Sequence, residues 1–142
     1  MTEKQIQERI ARADQMHESG GNCAQAVLCA YSDLLGVDEE TLFKVSEGFG
    51  LGMGQMMTCG AVTAMYMVTG LMNSSGSPER GITKGATMKR EKELSDRFLQ
   101  KNGSITCREI KGVDTGQVLR SCPGCIEDAV RIVGEELFSD RD

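Results

Sequence analysis

Residues 53–72 read MGQMMTCGAVTAMYMVTGLM, a segment rich in Met, Ala and Val that carries no charged side chain. The uncharged span is longer still, since no Asp, Glu, Lys or Arg occurs between Glu47 and Glu79. About 20 apolar residues suffice for a transmembrane helix. Against that, one glutamine and three threonines interrupt the segment, and no Lys or Arg flanks it closely. We therefore predict no membrane span and a central helix that is apolar all round because other helices bury it.

The rest of the chain predicts further helices separated by Gly and Ser breaks, with no run of alternating β-branched residues. The expected helices begin after caps at Thr2, Asn22 and Asp38, and others cover about Lys84 to Lys101, Thr106 to Ile110 and Pro123 to about Phe138. No repeat, linker or low-complexity tract divides them. The predicted fold is all-α, a single-domain compact helical bundle over residues 1–142 with the apolar helix at its centre.

Composition limits the partners and the compartment. The chain has 142 residues, a net charge of -5 and a pI of about 5.0, so it repels phosphate backbones, and nucleic acid is not an expected partner. The first residues are polar and form no apolar signal segment, which predicts a cytoplasmic, reducing environment. There, cysteines usually serve as metal ligands, reactive thiols or buried packing residues.

Four of the six cysteines fall where a helix is predicted to begin, namely Cys23, Cys59, Cys107 and Cys122. Cys23 follows the expected cap Asn22, Thr106 before Cys107 forms capping-box spacing with Glu109, and Cys122 is itself a plausible cap before Pro123. Unpaired N–H groups at a helix start stabilise a thiolate, so four preactivated sulfurs are expected. Four thiolates also suit an iron-sulfur cluster or a zinc ion.

The other two cysteines have separate interpretations. Cys29 falls in a helix interior between Leu28 and Ala30, which predicts a buried packing residue. Cys125 completes the only CxxC motif, Cys122-Pro123-Gly124-Cys125, a pair that can exchange a disulfide with a partner. A thioredoxin-like motif would follow a strand, however, and a zinc knuckle would need a second CxxC.

Four alternating glycines precede the apolar helix, at positions 48, 50, 52 and 54. They lack the strand of a dinucleotide fingerprint and the Gly-Lys-Ser/Thr of a phosphate loop. They indicate backbone that passes close to another element, either a helix or a cofactor. His17 is the only histidine and is expected to face solvent, which excludes a His-rich zinc hydrolase and most diiron bundles.

A family resemblance is carried by Cys23 within GNCAQAV at residues 21–27, by CGAVTA at residues 59–64, by Cys107 and by Cys122 before proline. The chain resembles the C_GCAxxG_C_C family of redox-active proteins over nearly its whole length. The resemblance implies that Cys23, Cys59, Cys107 and Cys122 occupy the four family positions.

Two details qualify this resemblance. Ala64 stands where the family motif ends in glycine, so a methyl group is accommodated there. The chain is also similar, less specifically, to the iron-containing part of split-Soret cytochromes. Covalent haem is not expected, because Ile126 rather than histidine follows Cys125.

Three functional hypotheses follow, in this order. In the first, Cys23, Cys59, Cys107 and Cys122 bind an iron-sulfur or related metal centre that transfers electrons. In the second, the same cysteines act without metal as a thiol-disulfide redox protein or sensor, and Cys122 or Cys125 attacks first. In the third, they bind zinc in a structural interaction module. The redox partner protein, an enzymatic activity and homo-oligomerisation are left open.

Overall fold

The computed structural model describes residues 1–139, which form seven α-helices and no β-strand. The helices are α1 (Glu3–Glu18), α2 (Cys23–Cys29), α3 (Glu39–Ser46), α4 (Gly60–Asn73), α5 (Lys84–Asn102), α6 (Cys107–Ile110) and α7 (Cys122–Leu137). Short 3-10 turns and one π-type turn connect some of them. The predicted all-α single-domain bundle is confirmed.

Helix α4 is the predicted central helix. It packs against α2, α5 and α7, and most of its residues from Gly60 to Thr69 are buried. Its 14 residues correspond to about 21 Å, which is shorter than the hydrocarbon core of a bilayer. In the part of the chain that the structure describes, no helix combines the length and apolarity needed to cross a membrane.

The helix of the apolar segment begins further along the chain than the composition of residues 53–72 indicates. Residues 52–56 form a π-type turn in which Met53 and Gly54 have left-handed backbone angles, with φ of 60° and 70°. Leu51 and Met56 also have positive φ, at 53° and 55°, a conformation that costs a residue with a Cβ about 1–2 kcal/mol. The chain therefore turns before Cys59, and α4 starts at Gly60.

Two glycines around this turn allow neighbouring backbone and side chains to approach closely. A Cβ on Gly50 would lie 2.4 Å from the Asn22 side chain, and one on Gly52 would lie 2.3 Å from the Met57 backbone nitrogen. A Cβ on Gly48 or Gly54 would have no atom within 4 Å. Close packing within the protein thus accounts for Gly50 and Gly52.

The start of α2 is fixed against the start of α4. Asn22 forms a capping box with Gln25, and its side-chain amide donates to the Glu47 carbonyl at 2.9 Å. A Cβ on Gly60 would lie 2.9 Å from the Phe49 carbonyl oxygen and 3.1 Å from the Ala24 nitrogen, so only glycine fits without adjustment. This crossing brings two cysteine-bearing helix starts together.

Helices α1 and α7 close the other side of the core. Ile6, Ile10 and Ala13 of α1 are buried, and the predicted capping box of Thr2 and Gln5 is present. The Tyr31 hydroxyl donates to the Val130 carbonyl of α7 at 2.6 Å. These contacts hold α7 against α1 and α2, which places the first turn of α7 beside the other helix starts.

Candidate functional site

Five of the six cysteines line one cavity of about 200 Å³: Cys23, Cys59, Cys107, Cys122 and Cys125. The structure thus brings together the four cysteines expected to act jointly, and it adds Cys125. Cys29 lies in a different depression, beside Arg12 and Glu39. Its side chain is only 2% exposed, as expected for a packing residue.

The four predicted helix starts are confirmed. Cys23, Cys107 and Cys122 are the first residues of α2, α6 and α7, and Cys59 immediately precedes α4. Cys125 lies one turn into α7. Four separate helix beginnings therefore converge on the cavity.

Two capping details differ from the prediction. Ser121, not Cys122, is the cap of α7, and its hydroxyl oxygen accepts a hydrogen bond from the Gly124 N–H at 3.1 Å. The expected capping box at α6 is wrong, because Glu109 instead accepts a hydrogen bond from the Ser104 hydroxyl at 3.0 Å. In place of the capping box, the Ser104 hydroxyl oxygen accepts a hydrogen bond from the Thr106 N–H at 2.9 Å.

A pair of backbone hydrogen bonds ties Cys59 to Cys107. The Cys59 N–H donates to the Ile105 carbonyl at 2.8 Å, and the Cys107 N–H donates to the Met57 carbonyl at 2.6 Å. Thr58 and Thr106 form an antiparallel bridge between these bonds. The register of the two cysteine-bearing segments is consequently fixed by the main chain.

The thiols form two pairs, and each pair joins different helices. The Cys23 and Cys122 side chains lie beside each other and interact, as do the Cys59 and Cys125 side chains. The two cysteines of the CxxC motif thus face different partners, although they lie one helical turn apart.

Within each pair, one thiol is acidic and the other keeps its proton. The hydrogen bond from Cys23 lowers the pKa of Cys122 to about 5 despite partial burial, and the positive charges of Lys111 and His17 assist. The hydrogen bond from Cys125 lowers the pKa of Cys59 against the effect of burial, and the N–H groups of Ala61 and Val62 favour the same thiolate.

The remaining thiols of the cavity have raised pKa values. Donation to the partner sulfur and burial raise the pKa of both Cys23 and Cys125 well above the ordinary range. Burial raises the pKa of Cys107. The expectation that all four helix-start sulfurs are preactivated is therefore wrong for Cys23, which shares a proton with the neighbouring Cys122, and for Cys107, which is desolvated.

The cavity has basic and apolar walls. Among the residues that line it are His17, Lys111 and Arg120, together with Leu51 and Ile110. The prediction that His17 faces solvent is wrong: the imidazole is half-buried and lines the cavity, because the chain reverses after α1 to enter α2. Sequence spacing offered a signal for Lys111, which lies one helical turn after Cys107.

Arg120 is fixed by a buried carboxylate. Its guanidinium donates to both oxygens of Asp128, at 3.0 and 3.1 Å, and Asp128 also binds Lys101 and the Asn102 amide. The Asp128 side chain is 1% exposed. Although burial opposes ionisation, these partners lower the pKa of Asp128. This network anchors Arg120 at the edge of the cavity.

Within residues 1–139, no three His, Cys, Asp or Glu side chains stand close enough together, in the positions they occupy, to hold a metal ion. Tetrahedral zinc with bonds of about 2.3 Å requires four sulfurs about 3.8 Å from one another. The sulfurs are instead engaged two by two, and this organisation suits exchange between thiols.

Comparison with known proteins bears on this site. The model of a family described as "Putative redox-active protein (C_GCAxxG_C_C)" matches residues 21–136, a range that contains all six cysteines. No curated protein and no solved structure matches the chain. Because the match covers well over half of the sequence, the chain belongs to the C_GCAxxG_C_C family of redox-active proteins.

Proposed function

We propose that this protein is a thiol-disulfide redox protein in which Cys122 is the attacking thiolate and Cys23 is the resolving thiol. The pairing of an acidic with a protonated thiol across α2 and α7 carries the proposal. An attacking thiol reacts fastest when a large fraction of it is ionised and it remains accessible. Cys122 meets both conditions, because its pKa is about 5 and its side chain is only partly buried.

The reaction proceeds in two steps. The Cys122 thiolate attacks one sulfur of a substrate disulfide, forms a mixed disulfide and releases the other half of the substrate as a thiolate. Cys23 then loses its proton and attacks the Cys122 sulfur, which forms the Cys23–Cys122 disulfide and releases the second half. Two electrons pass from the protein to the substrate. A dithiol reductant, such as a redox partner protein in a reducing cytoplasm, restores the two thiols.

Cys59 and Cys125 form a second couple of the same kind. Cys59 and Cys125 are 6% and 2% exposed. Solvent molecules and substrates therefore reach them less readily than the half-buried Cys23 and Cys122. We assign them to storage of a second electron pair by formation of a Cys59–Cys125 disulfide. The outer couple would exchange with substrates, and the inner couple with the outer one.

An iron-sulfur cluster is the second candidate function. It is favoured by the convergence of five sulfurs on one cavity with apolar walls. Cys23, Cys59, Cys107 and Cys122 would hold the cluster, and the backbone N–H groups near the Cys59 sulfur suit a bound thiolate. Such a cluster supplies one-electron transfer. A structural zinc site is less well supported, because the thiols are not arranged around one ion.

One preparation separates these candidates. Protein purified without exposure to air is analysed for iron, zinc and labile sulfide, then oxidised with a mild disulfide and mapped by mass spectrometry without reduction. Metal-free protein with reversible Cys23–Cys122 and Cys59–Cys125 disulfides supports the proposal. Stoichiometric iron and sulfide with visible absorption would instead support the cluster. A Cys29→Ala variant is the matched control, since Cys29 lies outside the cavity.

A further inference from the structure

We propose that the cavity selects small anionic disulfides, and that Lys111 recognises the negative group of the bound half. This inference rests on the proposed thiol-disulfide function and names the substrate class. The starting observation is a local reversal of charge. The chain has 21 Asp and Glu residues against 16 Lys and Arg residues, yet Lys111, Arg120 and His17 line the cavity and no Asp or Glu among the described residues does so.

Of the lysine and arginine side chains that line the cavity, Lys111 is the one left to bind a ligand. Arg120 is already engaged by Asp128, and Glu127 lies 3.9 Å from its guanidinium. Lys111 makes no ion pair with a carboxylate among residues 1–139, and it lines the same cavity as Cys122, where its positive charge favours the Cys122 thiolate. Its ammonium group therefore balances a thiolate only while that thiolate exists.

The chemistry of exchange removes that partner. When Cys122 enters a mixed disulfide, its negative charge leaves with the released thiolate, and Lys111 loses its counterion. A carboxylate on the bound half would restore an ion pair with Lys111. An ammonium group in the same place would be repelled by the Lys111 ammonium. The mixed disulfide and the transition state leading to it are consequently stabilised for an anionic substrate.

The dimensions of the cavity limit the substrate to a small molecule. Its volume of about 200 Å³ is below the roughly 300–1,000 Å³ typical of sites for drug-sized ligands. Leu51 and Ile110 provide apolar walls that fit a short alkyl arm. The outer thiols Cys23 and Cys122 are partly exposed, so the substrate reaches them from solvent. A disulfide with two-carbon arms that end in carboxylates matches this combination.

Three symmetric disulfides with equal two-carbon arms test the inference: 3,3′-dithiodipropionate (anionic), bis(2-hydroxyethyl) disulfide (neutral) and cystamine (cationic). The rate of Cys122 oxidation is measured by acid quenching and peptide mass spectrometry. The wild-type protein should react at least about fivefold faster with the anionic than with the cationic compound. This preference should weaken as salt concentration rises.

Two charge-matched variants complete the experiment. Lys111→Met should abolish or reverse the order of rates, whereas Lys44→Met should retain it, because Lys44 lies on α3 and does not line the cavity. A faster reaction with cystamine, or a Lys111→Met variant that keeps the wild-type order, would overturn the inference. Equal rates with all three would reject the specificity but retain the redox function. Failure of all three to oxidise Cys122 would reject both.

Discussion

The Cys122 side chain interacts with the Cys23 side chain, and this contact joins the first residue of α7 to the first residue of α2. Neither cysteine has a comparable partner in its own helix, so the acidity of Cys122 depends on the packing of two elements that are distant in sequence.

Removal of the Cys23 thiol should make Cys122 less acidic. In Cys23→Ala, the pKa of Cys122 should rise from about 5 toward the ordinary thiol range, because the largest stabilising contribution to its thiolate is lost. Alkylation of Cys122 by iodoacetamide, followed from pH 4 to 9 by peptide mass spectrometry, should shift its midpoint upward. An unchanged midpoint would contradict the assigned contact. Cys29→Ala should leave the profile as in the wild type.

The same pKa shift has a consequence for stability. The pKa of Cys122 is depressed from about 9 to about 5 on folding, so its contribution to stability is fully present above about 9. The contribution declines as the pH falls toward 5 and is lost below it. Urea unfolding of reduced wild-type protein should therefore show a larger loss of stability between pH 9 and 5 than Cys122→Ser, after correction for the shared titration of other groups.

The two disulfides should respond differently to loss of one cysteine. Cys125→Ala should abolish the Cys59–Cys125 disulfide and keep Cys23–Cys122, whereas Cys23→Ala should abolish Cys23–Cys122 and slow formation of Cys59–Cys125, because the inner pair is oxidised through the outer one. Peptide mapping after mild oxidation measures both. A dominant Cys122–Cys125 disulfide in the wild type would show that the CxxC motif, not the pairing between helices, governs oxidation.

The crossing of α2 and α4 should depend on Gly60. Gly60→Ala places a Cβ 2.9 Å from a backbone oxygen, and the resulting overpacking should cost about 1–3 kcal/mol in the free energy of unfolding. Gly70→Ala in the same helix is the matched control. Its Cβ would meet no atom within 4 Å, so helix propensity should make it neutral or stabilising by up to about 1 kcal/mol. Equal effects in chemical denaturation would contradict the proposed crossing.

Asp128 should be important for stability. Asp128→Asn weakens a buried carboxylate site with three polar partners and should cost about 3 kcal/mol in unfolding experiments. Asp114→Asn, which alters an exposed pair with Arg108, should cost less than about 1 kcal/mol. Since the folded-state pKa of Asp128 is lowered, its contribution should be present above the ordinary Asp pKa and disappear as the pH falls below it. A small effect of Asp128→Asn would show that the network is dispensable.

Local sequence signals predicted the helix starts well. The capping pair Asn22 and Gln25 predicts the start of α2, and the uncharged segment predicts α4. The placement of Cys23 and Cys59 at helix starts therefore follows from nearby residues. The cap at Ser121 and the hydrogen bonds of Ser104 with Glu109 and Thr106 do not follow from the local pattern, because neighbouring polar side chains compete for the same backbone groups and only the tertiary arrangement decides between them.

The thiol pairing could not be predicted in the same way. It depends on how closely α2, α4 and α7 approach one another, and that distance is set by contacts such as Gly60 against Ala24. The acidity of Cys122 likewise includes charges from Lys111, directly after α6, and from His17 on α1. Sequence spacing identifies which residues start helices, but it does not give the angles at which those helices cross.

The depth of the sulfurs within the cavity sets their exposure to damage. Cys59, Cys107 and Cys125 are 6%, 6% and 2% exposed, whereas Cys23 and Cys122 are partly open to solvent. Peroxide arriving from outside would meet the outer thiolate first, and continued attack there leads to sulfinic and sulfonic acids that thiol reductants do not reverse. The deeper sulfurs are shielded from that irreversible chemistry.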